Sequence, residues 1–125
     1  MKKRILNIAC LQTRPRLDFQ SALDEALGLA EQAIGAGAEF ICLPEYCGGL
    51  KTEGSSFAPP SAHEGAHPVL KGFRDFASTR KVFILVGSIA VDGPSQEKIR
   101  NRGFIIDDQG LILSRYDKIH LFDIK

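Results

Sequence analysis

The chain has 125 residues, 44% of them hydrophobic and 25% charged, with a formal net charge of +1. That is enough for one domain with its own core, in an ordinary globular composition. A near-neutral balance offers no basic surface for nucleic acid or an anionic membrane, and no apolar run approaches the roughly 18 residues of a membrane span.

Met1-Lys2-Lys3-Arg4 is basic, like the start of a signal peptide. The apolar run behind it is interrupted by Asn7 and ends by Gln12, too short and too strand-like for one. The cysteines, Cys10, Cys42 and Cys47, are odd in number and lack metal-ligand spacing, which suits reduced thiols and a cytoplasmic location.

Ile5 to Leu11 is mostly apolar and reads as a strand buried on both faces. Residues 13–16, with Pro15, turn out of it, and Asp18 is placed to cap a helix. Phe19, Ala22, Leu23, Ala26, Leu27, Ala30, Ala33 and Ile34 follow the three-four spacing of an amphipathic helix. Gly35 and Gly37 supply its left-handed stop. The strand Phe40 to Leu43 comes next, so strand, helix and strand form a βαβ unit with parallel strands. Pro44 ends that strand because proline cannot donate to a sheet ladder, and Glu45 projects from its carboxyl end. In open α/β sheets that edge is where ligands bind.

Residues 46–67 form a long connection rich in Gly, Ser and Pro, a length usually tied to function or mobility. Pro68 opens a second helix with Val69, Leu70, Phe73, Phe76 and Ala77 on its apolar face. Val82 to Ile89 is the strongest strand and reads as fully buried. Residues 92–100 are a polar connection. Gly103 to Ile106 and Leu111 to Ser114 are short strands around the hairpin turn Asp107-Asp108-Gln109-Gly110. No repeat or linker divides the chain, and a largely parallel sheet covered on one face by two helices is the expected core.

His63-Glu64-Gly65-Ala66-His67 matches H-E-x-x-H, a zinc-hydrolase pattern that works only on a helix. Gly65 inside it, Pro68 after it and Pro59-Pro60 before it favour a loop and a chance match, so no metal site is expected. Gly35-x-Gly37 follows a helix rather than a strand, and Gly48-Gly49-Leu50-Lys51-Thr52 lacks P-loop spacing. Glu45 and Lys118 are each weak signals alone. Together they are stronger, because both follow predicted strands and both have apolar and aromatic neighbours. Leu43 and Tyr46 on one side, and Ile119, Leu121 and Phe122 on the other, are expected to bury them. Buried opposite charges are tolerated mainly when paired, so the two side chains should lie within roughly 3 to 6 Å.

Leu43-Pro44-Glu45-Tyr46, Val86-Gly87-Ser88, Asn101 with Asp107-x-x-Gly110, and Tyr116-x-Lys118-Ile119-His120-Leu121-Phe122 together resemble the nitrilase superfamily of carbon–nitrogen hydrolases. The resemblance runs the length of the chain and is most similar to the branch acting on small ω-amides. It implies an α/β fold, a four-layer αββα sandwich of which this chain supplies about half. It also implies a Glu–Lys–Cys mechanism on a small amide, with Glu45 as general base, Lys118 as catalytic lysine, no metal or organic cofactor, and a homo-oligomer in the complete protein. In the family the nucleophilic cysteine and a second supporting glutamate lie beyond the lysine motif, past Lys125 in this numbering. Cys10, Cys42 and Cys47 read as structural or incidental thiols, with Cys47 the least implausible substitute.

Residues 1–125 are therefore expected to be the amino-terminal part of one carbon–nitrogen hydrolase domain, inactive alone. A sheet face meant for a second sheet would be left wet. At about 25 cal/mol per Å², some 400 Å² of it forfeits on the order of 10 kcal/mol, so the isolated chain should be unstable or held by a partner. A non-catalytic association module is the alternative reading, and a zinc hydrolase using His63 and His67 is a distant third.

Overall fold

The computed structural model describes residues 2–95 and 98–119. In chain order the elements are β1 (Ile8–Cys10), α1 (Phe19–Gly35), β2 (Phe40–Leu43), β3 (Thr52–Glu53), β4 (Ser56–Phe57), a 3-10 turn (Glu64–Ala66), α2 (Pro68–Arg80), β5 (Phe83–Asp92), β6 (Ile99–Ile106) and β7 (Ile112–Asp117). β1, β2, β5, β6 and β7 form one sheet in the order β1-β2-β5-β6-β7. The helical crossovers make β1–β2 and β2–β5 parallel. Direct returns make β5–β6 and β6–β7 antiparallel, so the sheet is mixed rather than largely parallel.

Asp18 caps α1 as its sequence suggests. One carboxylate oxygen accepts from the Ser21 N–H at 2.8 Å and the other from the Ser21 hydroxyl at 3.1 Å. Ala22, Ala26 and Ala30 are buried one turn apart, small enough for α1 to lie close to its neighbours. Leu23 packs against Gly72 of α2, where a Cβ on Gly72 would sit 2.5 Å from a Leu23 methyl. At the far end Gly37 takes the left-handed conformation, φ 98°, while Gly35 remains helical. Pro68 opens α2, and Val69, Leu70, Phe73 and Ala77 turn inward.

Both helices pack on one sheet face. Ile41, Leu43, Ile84, Val86, Phe104 and Ile106 meet Ala26, Ala30, Val69, Leu70, Phe73 and Ala77 there. Alternation puts the remaining strand residues on the other face, whose central part around Leu85 is covered by nothing among the described residues. Leu85, at the centre of β5, is 36% exposed as a result. This corrects two expectations. β5 is enclosed on one face only over residues 83–87, and β1 is an edge strand with Ile8 and Cys10 exposed rather than buried on both sides. β6 and β7 also run further than their apolar stretches suggest, because cross-strand pairs of Arg102 with Asp117 and Arg100 with Asp117 hold their polar ends.

The connection from β2 to α2 is built rather than formless. It carries the small β3–β4 ribbon and the 3-10 turn, and Glu64 in that turn ties it to Arg115 of β7 and Arg102 of β6. The β5 strand bulges between Val86 and Ile89, beside the end of β2. Gly87 lies in that bulge. A Cβ there would fall 2.4 Å from the Leu43 carbonyl oxygen and 2.5 Å from the Pro44 backbone.

Gly87→Ala should therefore lower stability by about 1–3 kcal/mol, read from a urea midpoint. Gly28→Ala, in the middle of α1 with open space around its Cα, should raise stability by about 0.5–1 kcal/mol. Equal midpoints for the two variants would rule out the close backbone approach at Gly87.

Candidate active site

β2 stops at Leu43, and the next four residues form a corner over the β5 bulge. Tyr46 is left-handed at φ 53°, an uncommon and strained conformation for an aromatic residue. Three hydrogen bonds to Ser88 hold the corner. The Tyr46 N–H donates to the Ser88 hydroxyl at 2.9 Å and the Cys47 N–H to the Ser88 carbonyl at 3.0 Å. The Ser88 N–H returns a bond to the Pro44 carbonyl at 3.3 Å. Glu45 is thereby pointed along the sheet edge toward β6 and β7.

Lys118 follows β7 directly, and its N–H donates to the Asn101 carbonyl at 2.9 Å. Its ammonium donates to Glu45 Oε1 at 2.7 Å, across 73 positions of sequence. The side-chain amide of Asn101 donates to the same oxygen at 2.8 Å. The expected proximity of Glu45 and Lys118 is present. The expected burial is not, since their side chains are 49% and 32% exposed. Both stand on the uncovered sheet edge, Ile119 is 77% exposed rather than shielding them, and Leu121 and Phe122 lie outside the described residues.

Charge pairing sets the ionisation here. The Lys118 hydrogen bond, helped by that of Asn101, holds the Glu45 carboxyl below its ordinary range against a smaller opposing effect of burial. Glu45 in turn raises Lys118, so both stay charged at neutral pH. Burial, then the Glu45 charge, raises the Tyr46 phenol. Gly87, Ser88, Gly103 and Tyr116 complete an open cleft of about 370 Å³ around Glu45, Asn101 and Lys118. A larger groove, about 470 Å³, lies between α2 and the β6–β7 turn and contains none of these residues.

Burial makes Cys47 and Cys42 poor nucleophiles. Cys47 is buried, donates to the Ser88 carbonyl at 3.4 Å, and is pushed up to about 12 by burial. Burial, and Cys10 beside it, raise Cys42. Cys10 lies on the edge strand β1. The H-E-x-x-H stretch is not on an α-helix, as its glycine and flanking prolines suggest. Glu64 is committed to Arg115 and Arg102, which hold its carboxyl low. His67 is buried, with Nε2 against the Ala90 carbonyl at 3.1 Å, while His63 is exposed. No group of metal-ligating side chains gathers among the described residues.

Ser88 and Asn101 matter to the site in ways the sequence does not disclose. Both stand in family-like stretches, but a serine that braces a corner and an asparagine that meets a carboxylate look like ordinary strand residues until the sheet is assembled.

The carbon-nitrogen hydrolase profile matches residues 7–125. Nitrilase homolog 2 of Dictyostelium discoideum is 30% identical over 123 residues, covering 98% of this chain and 37% of that protein. A deaminated glutathione amidase of Synechocystis sp. is 32% identical over 117 residues, covering 93% of this chain and 42% of that protein. Among solved structures, the C. elegans NitFhit protein superposes with a TM-score of 0.78 at 20% identity, over 97% of this chain and 30% of that one. An amidase from Nesterenkonia sp. AN1 of the nitrilase superfamily gives a TM-score of 0.71 at 24% identity, over 94% of this chain and 44% of that one. The chain spans well under half the length of these relatives and shares their fold over that span. It belongs to the carbon–nitrogen hydrolase family.

Proposed function

We propose that this chain contributes the glutamate and lysine of an amidase site that cleaves a small ω-amide into a carboxylate and ammonia or an amine. The observation that carries the reading is the 2.7 Å contact between Lys118 Nζ and Glu45 Oε1 at the carboxyl end of β2. Glu45 takes the proton of a cysteine thiol. The thiolate attacks the amide carbonyl, and the Lys118 ammonium stabilises the thiolate and the tetrahedral oxyanion. Glu45 returns the proton to the leaving nitrogen, and water then cleaves the thioester. The mechanism asks for no metal or organic cofactor.

The thiol comes from sequence outside this chain, together with a supporting glutamate. Residues 1–125 are thus the amino-terminal part of the catalytic domain. The high-lying Cys47 thiol, the raised Cys42 thiol and the place of Cys10 on the edge strand β1 support this. The solved Nesterenkonia amidase has been described with acrylamide added at an active-site cysteine, which fits a thiol mechanism in a protein of the same fold. The uncovered part of the sheet face suits a second sheet from the remainder of the domain. Residues 46–67 frame part of the substrate cleft, and the complete enzyme is a cytoplasmic homo-oligomer.

In the full-length protein, Glu45→Gln and Lys118→Ala should each lower kcat/KM for small ω-amides by about 10²–10⁴-fold with unchanged melting. Turnover within a few-fold of wild type in either variant would exclude the assigned role.

Residues 1–125 expressed alone should hydrolyse none of these amides and should melt without cooperativity or associate. A sharply melting monomer would refute the instability, and turnover abolished by Cys47→Ala would refute an external nucleophile.

A further inference from the structure

Resting on the amidase reading, we infer that Asn101 is a positioning residue that fixes the Glu45 carboxylate so that Oε2 receives the thiol proton. Asn101 and Lys118 both donate to Oε1, at 2.8 and 2.7 Å. Two donors draw electron density from Oε1, so the other oxygen is the more available proton acceptor.

The two donors contribute differently. Lys118 is a point charge on a long, rotatable stem, and a third of its side chain is exposed. It supplies charge but little orientation. Asn101 is 3% exposed on β6, in register with Ala90 of β5. Its short side chain leaves the amide little freedom, and Gly103 next along that face presses against the Gly87 carbonyl. The amide polarity is also fixed, because a flipped amide would set Oδ1 against a carboxylate oxygen. Asn101 therefore decides which way the carboxylate plane faces.

Cost supports the same conclusion. The Asn101 Oδ1 atom is buried without a hydrogen-bond partner among the described residues. Such an orphan is destabilising, and leucine, with the same branched skeleton, would carry none. An asparagine here spends stability to place one N–H donor on Glu45 Oε1. In the reaction the S–H bond breaks as an O–H bond forms at Oε2, giving thiolate and neutral carboxylic acid. The same proton later leaves Oε2 for the departing nitrogen, and no electron transfer is involved.

The test uses Asn101→Leu in the full-length protein, with a ¹³C carboxyl titration of Glu45 and the pH profile of kcat/KM. The Glu45 titration should move up toward the ordinary glutamate value, and the acid limb of the profile should move with it. kcat should fall about 10–100-fold while KM stays within a few-fold. An unmoved Glu45 titration with kcat within two-fold of wild type would overturn the inference. In the unmutated protein, the Asn101 side-chain amide signals should shift as Glu45 protonates. Signals that ignore that titration would overturn it even if the variant does not fold. If instead Glu45→Gln retains turnover while the amide signals follow Glu45, the amidase reading fails and the contact itself stands.

Discussion

The site depends on one missing side chain. At Gly87 the end of β2 lies so close to β5 that any Cβ would strike the Leu43 and Pro44 backbone. Because that space is empty, the chain can turn at Pro44 and settle on the β5 bulge. There Ser88 can hold both Tyr46 and Cys47. The left-handed Tyr46 follows from this seating, since those bonds offset its backbone strain. Gly103 repeats the device one strand over, where a Cβ would stand 2.8 Å from the Gly87 carbonyl. Two glycines therefore draw three strands together at the edge where Glu45 emerges.

Electrostatics then fix what that geometry presents. Glu45 is half exposed, so its ion pair with Lys118 adds little to stability by itself. Its effect is on ionisation. The depressed Glu45 value means that whatever the pair contributes to stability is present above the ordinary glutamate range and is lost as pH falls through the lowered folded value. The nearby Arg102–Asp117 pair, with Arg100, holds the Asp117 carboxyl down at about 2 and ties β7 to β6 beside Lys118. Arg102 also reaches Glu64, so the long connection after β2 and the strand bearing Asn101 share one charged network. A carboxylate paired this firmly is a weak base. In the proposed mechanism the Lys118 ammonium offsets that weakness by also favouring the thiolate.

The residues that pack against helices were readable from sequence, because burial on one face leaves a periodic trace. The stripe from Phe19 to Ile34, the Asp18 cap, the Pro68 start and the strand Phe40 to Leu43 all appear where those signals put them. Apolar composition misled where it could not distinguish a covered face from an uncovered one. Ile8 and Leu85 are apolar yet exposed, since their part of the sheet face meets nothing among the described residues. The polar ends of β6 and β7 left no apolar trace because arginine–aspartate pairs hold them. Glu45 and Lys118 were legible through a family-like pattern, and the fold brings them into contact. Asn101 and Ser88 could not be assigned in advance, because their partners lie 56 and 42 positions away and are set by sheet register.

The most direct test is where the acyl group resides during turnover. Full-length protein quenched in acid while consuming a small ω-amide would be digested and its acylated peptide identified by mass spectrometry. The expected result is a thioester on a cysteine outside residues 1–125, greatly reduced in Glu45→Gln. Acylation of Cys10, Cys42 or Cys47, or undiminished acylation in Glu45→Gln, would contradict a Glu45-activated thiol supplied from outside this chain.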